Sequence, residues 1–360
     1  MSKATIELIH NARVLPMTFV ESPRQDALGR FDGSVRYSDG IICDLGTVKL
    51  AGCQHDPVPP VSFDAECLVP TAGHHVFGGL LNNVHFGHFI TESLVRLWAF
   101  DNLAETFNSV VFYNYSIDKG VPDFVSDTLD ILIPGISVTV LNYPAMFELL
   151  AVPEELKFGS YIYGHPLNRD MCKRLRLNSD QKDIRKKIYI SRSRLNVGNG
   201  GLIYEELIDD YMRAEGYAVL YPEAMSVREQ LEAYSSAEKL VFADGSAVHL
   251  YALVSQPTQN VFVIYRRGKY SVYDWQIRTF GGPPVLGDSC IEEFWVPEKD
   301  PSSSFGKGVL NFAALSKQLF DAGFIAKHPW YGPNAEEVKA RIAATMENMR
   351  LSYIQVPVPS

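Results

Sequence analysis

The chain has 360 residues, enough for two domains that each bury a core of their own. A hydrophobic content of 46% and a charged content of 21% are typical of a globular protein and exclude a disordered one. The formal net charge of −9 argues against a general nucleic-acid-binding protein, because binding to a polyanion depends on basic surface. One local run is basic and comprises Lys182, Arg185, Lys186, Lys187, Arg192 and Arg194. We interpret it as a solvated linker or strand edge, and nucleic-acid binding through this run is the weakest of the alternative functions.

Cysteine usage and hydropathy indicate the compartment. The five cysteines are scattered without a CxxC pair, which favours neither a disulfide framework nor a zinc site and fits a reducing cytoplasm. The N-terminal MSKATIELIH lacks the layout of a signal peptide, and no apolar run approaches the ~18 residues of a membrane span. We therefore expect a cytoplasmic protein, and we leave open a peripheral position at the inner face of the membrane and a homodimer.

The first half of the chain begins with strand patterns. Residues 1 to about 70 alternate polar and apolar positions between Gly and Pro, which predicts short antiparallel strands. Residues 84–98, VHFGHFITESLVRLW, predict a helix with an apolar side and one polar stripe. That stripe consists of His85, His88, Glu92 and Arg96. A strand at 109–115, a helix at 122–132 and a strand at 136–141 then indicate an open α/β layer.

The second half alternates strands and helices more clearly. Strands are predicted at 186–194, 217–221, 239–243 and 260–265. Between them, a helix over 202–215 ends at Gly216, and a Ser226–Glu229 capping box opens another that runs to about Ser236. This alternation predicts a parallel, doubly wound sheet that binds ligands at the carboxyl ends of its strands.

The fold class is therefore α/β, with two Rossmann-like halves and a β-rich N-terminal segment. We expect a first domain at 1–180, Rossmann-like from about residue 70, with a boundary near Asp180 in the linker-like NSDQKDIRKK. The second domain covers 181–330. The tail, 331–360, contains a helix at 335–349 that is expected to pack back on the first domain.

The strongest local motif is VFADGSAVHLY at 241–251. A buried strand ends there and a helix begins at once, so backbone N–H groups and the helix dipole predict a diphosphate site. The residues of this site are Asp244, Gly245, Ser246 and Ala247. The equally weighted alternative is a packing corner in which Asp244 or Ser246 caps the helix.

Two other strand ends carry candidate ligand groups. At the end of YISRSR, Ser191 and Arg192 reach the edge of the sheet, where arginine can grip a phosphate with two hydrogen bonds. Beyond the next strand, Glu223 is placed to accept hydrogen bonds from ribose hydroxyls, and Gln230 lies one helical turn further on. The structural alternatives are a surface ion pair for Arg192, a turn for Glu223 and a buried contact for Gln230.

Several common site motifs are missing. The chain has no GxGxxG after a strand, no GxxxxGK[ST] and no GxSxG, which disfavours NAD, P-loop and α/β-hydrolase chemistry. It also has no Asp-x-Asp, the usual metal–diphosphate motif of one class of glycosyltransferase. A metal-free diphosphate site built from a helix start and arginines, with no cofactor, is the arrangement that remains.

The order of these features resembles glycosyltransferase family 61, which includes bacterial capsular-polysaccharide transferases and eukaryotic xylosyl- and N-acetylglucosaminyltransferases. The resemblance covers roughly residues 80–265. It rests on HFGHFITESLVRLW, then KIYISRSR, then GYAVLYPEAMSVREQLEAYSSAEKLVFADGSAVHLYAL. His88 and Glu92 match the His and Glu of the family's first block, and Arg192 ends its second.

The resemblance implies a GT-B-like architecture, two Rossmann-like domains with parallel sheets facing a cleft. It implies an inverting hexosyl- or pentosyltransferase that uses a nucleotide-sugar donor and a glycan or polysaccharide acceptor, without a metal. His88 or Glu92 would be the base, an alternative to a buried hydrogen-bonded pair that fixes the helix. The family usually has His-Gly-Ala where this chain has Asp244–Gly245–Ser246, which favours the rival reading of a non-catalytic nucleotide-sugar or glycan-binding protein.

Overall fold

The fold is described from a computed structural model, which covers residues 4–20, 30–48, 54–56, 68–115, 120–177, 186–196, 198–299 and 303–359. Contacts between Cα atoms divide the chain into unit 1, Met1–Leu175, and unit 2, Arg176–Ser360. The boundary expected near Asp180 falls outside the described residues, as does part of the basic run, Lys182 and Arg185.

Unit 1 contains nine strands and three short α-helices among the described residues. The strands are β1 (Ile6–Val20), β2 (Arg30–Arg36), β3 (Gln54–Asp56), β4 (Val69–Leu81), β5 (Ser109–Asn114), β6 (Ser137–Leu141), β7 (Ala145–Pro153), β8 (Lys157–Phe158) and β9 (Tyr161–Ile162). The helices are α1 (Phe86–His88), α2 (Asp123–Leu132) and α3 (Pro166–Cys172). The predicted β5, α2 and β6 are confirmed within one residue at each end.

Seven of these strands form one mixed sheet in the order β3-β2-β1-β7-β4-β5-β6. Strands β7, β4, β5 and β6 run parallel, whereas β1 pairs antiparallel with both β7 and β2. Strands β4 to β7 are therefore parallel, as expected for that part of the first domain, but the sheet as a whole is mixed because β1 joins it antiparallel. The N-terminal strands do not form a separate segment, because β1 extends the α/β sheet along its β7 edge.

Apolar side chains from the middle strands form the core of unit 1. Phe77, Val111, Tyr113 and Phe147 are buried in one cluster, with the rings of Phe77 and Tyr113 edge to face at 5.0 Å. Their strands are almost continuously apolar, the pattern of a sheet buried on both faces. The core thus fixes the carboxyl end of β4, from which the first functional segment starts.

Unit 2 begins with a second α/β layer. The strands of unit 2 as a whole are β10 (Lys187–Ile190), β11 (Gly201–Leu202), β12 (Ala218–Leu220), β13 (Lys239–Ala243), β14 (Asn260–Ile264), β15 (Val285–Leu286), β16 (Ile291–Pro297), β17 (Lys307–Leu310) and β18 (Tyr353–Val356). Its helices are α4 (Glu205–Ala214), α5 (Val227–Ser236), α6 (Ala247–Val254), α7 (Val272–Thr279), α8 (Phe312–Asp321) and α9 (Ala335–Met349). The capping box of Ser226 and Glu229 is confirmed, and Gly216 takes the left-handed φ of 81° expected after α4.

Five strands of unit 2 form a wholly parallel sheet in the order β12-β10-β13-β14-β15. Numbered within this sheet, the order is 2-1-3-4-5, that of a doubly wound fold. Helices α4 and α8 pack on one face, through Ile208 and Leu315. On the other face, Phe242 contacts Tyr234 of α5 and Tyr251 of α6. The predicted parallel sheet is confirmed and gains β15 as a fifth strand.

A smaller sheet, β11-β17-β16-β18, completes unit 2. Helix α9 lies beside it, with Val338 and Ile342 packed on Ile203 and Val309. The bounds of this helix agree with the prediction, but its expected packing does not. Its apolar face is buried on unit 2, because β18, which follows it, is hydrogen-bonded to β16.

No α-helix in the described part of the chain combines the length and apolar character needed to span a bilayer.

Candidate active site

The segment after β4 carries the first candidate group. Asn82 directly follows the strand and organises the turn, since its side-chain oxygen accepts a hydrogen bond of 2.8 Å from the backbone N–H of His85. The backbone N–H of Asn82 in turn donates to the hydroxyl of Ser93 at 2.9 Å. Helix α1 starts between these anchors and widens at once into a π-helical turn, Phe89–Ser93. Such π turns are rare and are frequent at functional sites.

The π turn places His88 and Glu92 in direct contact. Nδ1 of His88 lies 2.9 Å from Oε1 of Glu92. The His88 side chain is 57% exposed, whereas that of Glu92 is 6% exposed. The hydrogen bond to Glu92 raises the pKa of His88, against a smaller lowering from partial burial. Because the carboxylate takes up Nδ1–H, Nε2 of the neutral imidazole is the nitrogen left to accept a proton.

The predicted regular helix over 84–98 is wrong in its second half. After the π turn the chain bends and continues as a 3₁₀ helix, Leu97–Asp101. Arg96 is fully buried, lies 3.4 Å from Glu155 and donates to the carbonyls of Thr47 and Pro153. Of the predicted polar stripe, His85 and His88 are exposed, and Glu92 and Arg96 point inward.

The second candidate group lies at the carboxyl ends of β10 and β13. These neighbouring strands flank the point where the order of the unit 2 sheet reverses, the usual ligand position in such folds. Arg192 follows β10 and Gly245 follows β13, and the two are in contact. A Cβ atom added to Gly245 would lie 2.5 Å from a terminal guanidinium nitrogen of Arg192. A residue without a side chain therefore lies where the guanidinium of Arg192 crosses the start of α6.

Arg192 is fixed from two sides. Its backbone N–H donates to Glu205 at 2.6 Å, and its side chain donates to the carbonyl of Gly200 at 3.0 Å. Its Nε is buried and has no hydrogen-bond partner within the described residues. Burial raises the pKa of Glu205, with the hydrogen bond from Arg192 acting against that shift. Arg192 is thus oriented while part of its hydrogen-bonding capacity is unused.

Further cations surround Arg192. Arg266 and Arg267 follow β14, and Lys307 begins β17 with its Nζ bonded to the carbonyl of Asn199 at 2.5 Å. Burial lowers the pKa of Arg266 to about 10. Burial, and then the charges of Arg266 and Arg192, lower the pKa of Lys307 to about 8. Buried cations that repel one another are the electrostatic signature of an anion site.

Asp244 is the acidic centre of this group. It is fully buried, accepts a hydrogen bond of 2.6 Å from the hydroxyl of Tyr273, and lies 3.4 Å from Arg267 and 3.9 Å from Arg266. Helix α6 has Ser246 as its N-cap residue, with no side-chain hydrogen bond closing the cap. Asp244 therefore anchors two arginines and does not cap the helix. Ser246 and Ala247 are half-buried at the helix start.

The other sequence-predicted residues lie at the edge of this group or beneath it. Ser191 is fully buried and its hydroxyl accepts a hydrogen bond from the backbone N–H of Ser193. Gln230 is buried and donates to the carbonyls of Pro222 and Met225. Both side chains shape turns. Glu223 is exposed on a 3₁₀ turn after β12, the strand beside β10.

Sequence reasoning missed Arg266, Arg267, Lys307 and Glu205. The two arginines follow β14 directly in NVFVIYRR, so the strand-end rule that found Arg192 also applies to them. Lys307 has no comparable local signal, because a small sheet that pairs β17 with β11 brings it to the site. Within the described residues, no three His, Cys, Asp or Glu side chains are grouped to take a metal ion.

Comparison with known proteins gives a family match. The family described as Glycosyltransferase 61 matches residues 86–261, a range that includes His88, Glu92, Arg192 and Gly245 and ends before Arg266. A search of the curated proteins gives no match. Residues 86–261 are thus similar to glycosyltransferase family 61, whose name implies transfer of a sugar from a donor to an acceptor.

Proposed function

We propose that this protein is an inverting, metal-independent glycosyltransferase that moves a hexose or pentose from a nucleotide sugar to a glycan or polysaccharide acceptor. The match to glycosyltransferase family 61 supports the class of reaction. The observation that carries the rest is the contact between the Arg192 guanidinium and Gly245 at the reversal point of the parallel sheet. The proposal assigns roles to two groups of residues, one in each unit.

The unit 2 group binds the donor diphosphate. Arg192, Lys307 and the N–H groups at the start of α6 provide charge and hydrogen bonds for its oxygens, and Arg266 adds a third cation. These cations stabilise the negative charge that appears on the nucleoside diphosphate as it leaves. In metal-dependent enzymes a divalent ion has this task, so the cation set is what supports metal independence.

Glu223 remains the proposed partner of the ribose, since it is exposed at the carboxyl end of β12. Ser191, Gln230 and Asp244 act as positioning residues, because their polar atoms are used inside the protein. Gly245, Ser246 and Ala247 allow the diphosphate to approach the start of α6 closely. The donor site thus combines a few ligand contacts with a buried layer that orients them.

His88 is the proposed base, with Glu92 as its positioning residue. Inversion needs one displacement, in which the acceptor hydroxyl attacks the anomeric carbon while its proton passes to a base. The exposed His88 presents Nε2 for this proton, and the buried Glu92 keeps Nδ1 protonated. The carboxylate then stabilises the imidazolium that forms. The electron pair of the anomeric C–O bond leaves with the diphosphate.

Donor binding can be tested by calorimetry with UDP, GDP, dTDP and CMP and their sugar conjugates, in excess EDTA. We expect one nucleotide class to bind, and Arg192→Ala to weaken it by about tenfold or more, as for loss of a charged hydrogen bond. His88→Ala should bind the donor as the wild type does. Absence of binding across the panel, or binding that requires a divalent cation, would contradict the proposal.

A second candidate function, binding of a nucleotide sugar or glycan without catalysis, is favoured by Asp244. Its carboxylate pairs with Arg266 and Arg267 and so offsets part of the charge that a leaving diphosphate needs. This reading predicts donor binding with no release of nucleoside diphosphate when acceptors are supplied. Asp244→Asn extends this test, because it removes the carboxylate that offsets the charge of Arg266 and Arg267. A non-catalytic protein should still show no turnover in this variant.

A further inference from the structure

A cavity of about 340 Å³ opens in unit 2 beside the proposed diphosphate site. One wall is formed by residues between β10 and α4, within 192–196 and 199–206 and including β11, and the opposite wall is helix α9. Lys307 contributes to the lining as well. The volume is within the usual range for a small-molecule site. A ligand whose diphosphate meets Arg192 and Lys307 would have its next group in this cavity.

The lining favours a polyhydroxylated group. Residues with amide or hydroxyl side chains line both walls; they are Ser193, Asn196, Asn199, Thr345 and Asn348. The hydroxyl of Ser193 donates to Asp209 and that of Thr345 to the carbonyl of Arg341, so both can still accept a hydrogen bond from a ligand hydroxyl. The side-chain oxygen of Asn196 accepts from the backbone N–H of Gly198, which leaves its NH₂ group for a ligand oxygen. Amides that donate and accept are the usual partners of sugar hydroxyls.

A nucleobase fits the lining less well. The aromatic residue in the lining, Tyr204, is covered by the guanidinium of Arg341 at 4.1 Å from its ring centroid. Arg341 is itself paired with Glu206 at 2.7 Å. The ring face that a base would stack on is therefore in use. Monosaccharide hydroxyls need no such face.

We infer that this cavity binds the sugar of the nucleotide-sugar donor and that α9 selects which sugar fits. The inference rests on the proposed function, since it assumes a donor diphosphate at Arg192. Helix α9 lies beyond residues 86–261, so the selecting wall is outside the part of the chain that matches the family. The chain thus uses its C-terminal segment to define the donor.

Two neighbouring alanines of α9 provide a matched test. Ala344 lines the cavity, and Ala343 is exposed on the same helix outside the lining. We expect Ala344→Trp to narrow the cavity and weaken binding of the nucleotide sugar by about tenfold or more, with less than a twofold change for the nucleoside diphosphate. Ala343→Trp should change neither. Probes are UDP, GDP and dTDP, with UDP-glucose, UDP-N-acetylglucosamine, UDP-xylose, GDP-mannose and dTDP-glucose.

Asn348→Ala is a smaller change to the lining. It is expected to weaken binding of the nucleotide sugar by about threefold and to leave binding of the nucleoside diphosphate unchanged. An equal effect of Ala344→Trp on both ligands, or no effect on either, would overturn the sugar assignment while donor binding stands. If no diphosphate binds the wild type, the proposed function is wrong as well. The nucleoside diphosphate also reports folding, since a misfolded variant would lose it too.

Discussion

At the scale of single residues, the central feature is a group of four cations, Arg192, Arg266, Arg267 and Lys307, around the carboxylates of Asp244 and Glu205. Lys307 illustrates the consequence, because its pKa of about 8 places its charge change within the working range of most proteins. A bound diphosphate favours the ammonium form. As the pH rises through about 8, the unliganded protein loses that charge, so donor affinity must fall.

We therefore predict that affinity for the nucleoside diphosphate declines by about tenfold between pH 7 and pH 9.5. A decline of this size corresponds to the loss of one charged hydrogen bond. Calorimetry across this range measures it. Lys307→Met should bind the nucleoside diphosphate weakly at all pH values, without the decline in affinity (the pH step). Lys307→Arg should keep the affinity of the wild type at pH 7 and also lack the pH step. A step of unchanged size in Lys307→Met would assign it to another group.

His88 and Glu92 make a second prediction at this scale. Since Glu92 raises the pKa of His88 and only the neutral imidazole accepts a proton, turnover should increase as the pH rises through that raised value. Glu92→Gln removes the carboxylate, so the pKa of His88 falls and the acidic limb of the kcat profile should move to lower pH. His88→Ala should reduce kcat by about 10²- to 10⁴-fold.

Measured pH–rate profiles of the three proteins decide this. An acidic limb at the same pH in wild type and Glu92→Gln would show that the pair does not titrate as proposed. Retention of full kcat in His88→Ala would remove it as the base.

Gly245 makes a third prediction, because its missing side chain is what lets Arg192 cross the start of α6. In Gly245→Ala the new methyl group would displace the guanidinium, a flexible group that can move without unfolding the sheet. Diphosphate affinity should fall by about tenfold while thermal stability changes little. Gly198→Ala is the control, since its Cβ would meet only ordinary contacts. Equal affinity in both variants would contradict the role of Arg192.

The residue-level site was only partly predictable from sequence. The positions of Arg192, Gly245 and Glu223 at strand ends were predictable, because parallel strands end at one edge of a sheet. The His88–Glu92 contact was found from spacing, although the local helix is a π turn. Lys307 was not found, since long-range pairing of β17 with β11 places it. The buried roles of Ser191 and Gln230 depend on turns that spacing does not describe.

At the scale of elements, strongly patterned helices were predictable and the segment after β4 was not. The predicted 335–349 agrees with α9, because a capping residue, an apolar period and good helix formers coincide there. In the 84–98 segment, tertiary contacts override the period. Buried bonds of Asn82 with Ser93, and of Arg96 with Thr47, draw the chain out of a regular helix.

Helix α9 makes a prediction at this scale. The side chain of Asn334 accepts from the backbone N–H groups of Glu336 and Glu337, and the carboxylate of Glu337 accepts from the backbone N–H of Asn334. Asn334→Ala removes this cap and should destabilise the helix by about 1 kcal/mol. Amide hydrogen exchange within α9 should then be about fivefold faster. Asn334→Asp preserves the cap and is the control; similar exchange in the two variants would contradict it.

At the scale of the whole chain, composition predicted a globular protein but not the strand order of the sheet in unit 1. Alternating strands and helices with short connections predicted the parallel sheet of unit 2, because each strand–helix unit is encoded by residues close together in the sequence. The pairing of β1 with β7 joins segments far apart in sequence, and no local pattern encodes such a partner. The net charge of −9 likewise conceals a cationic site, since charge is distributed by the fold.

The most direct test of the account is release of nucleoside diphosphate from its sugar conjugate in the presence of glycan acceptors and excess EDTA. The donor is the one identified by binding. The account predicts acceptor-dependent release and an inverted anomeric configuration in the product, with both lost in His88→Ala and Arg192→Ala. Acceptor-dependent turnover that persists undiminished in both variants would contradict it, as would a product that retains the donor configuration.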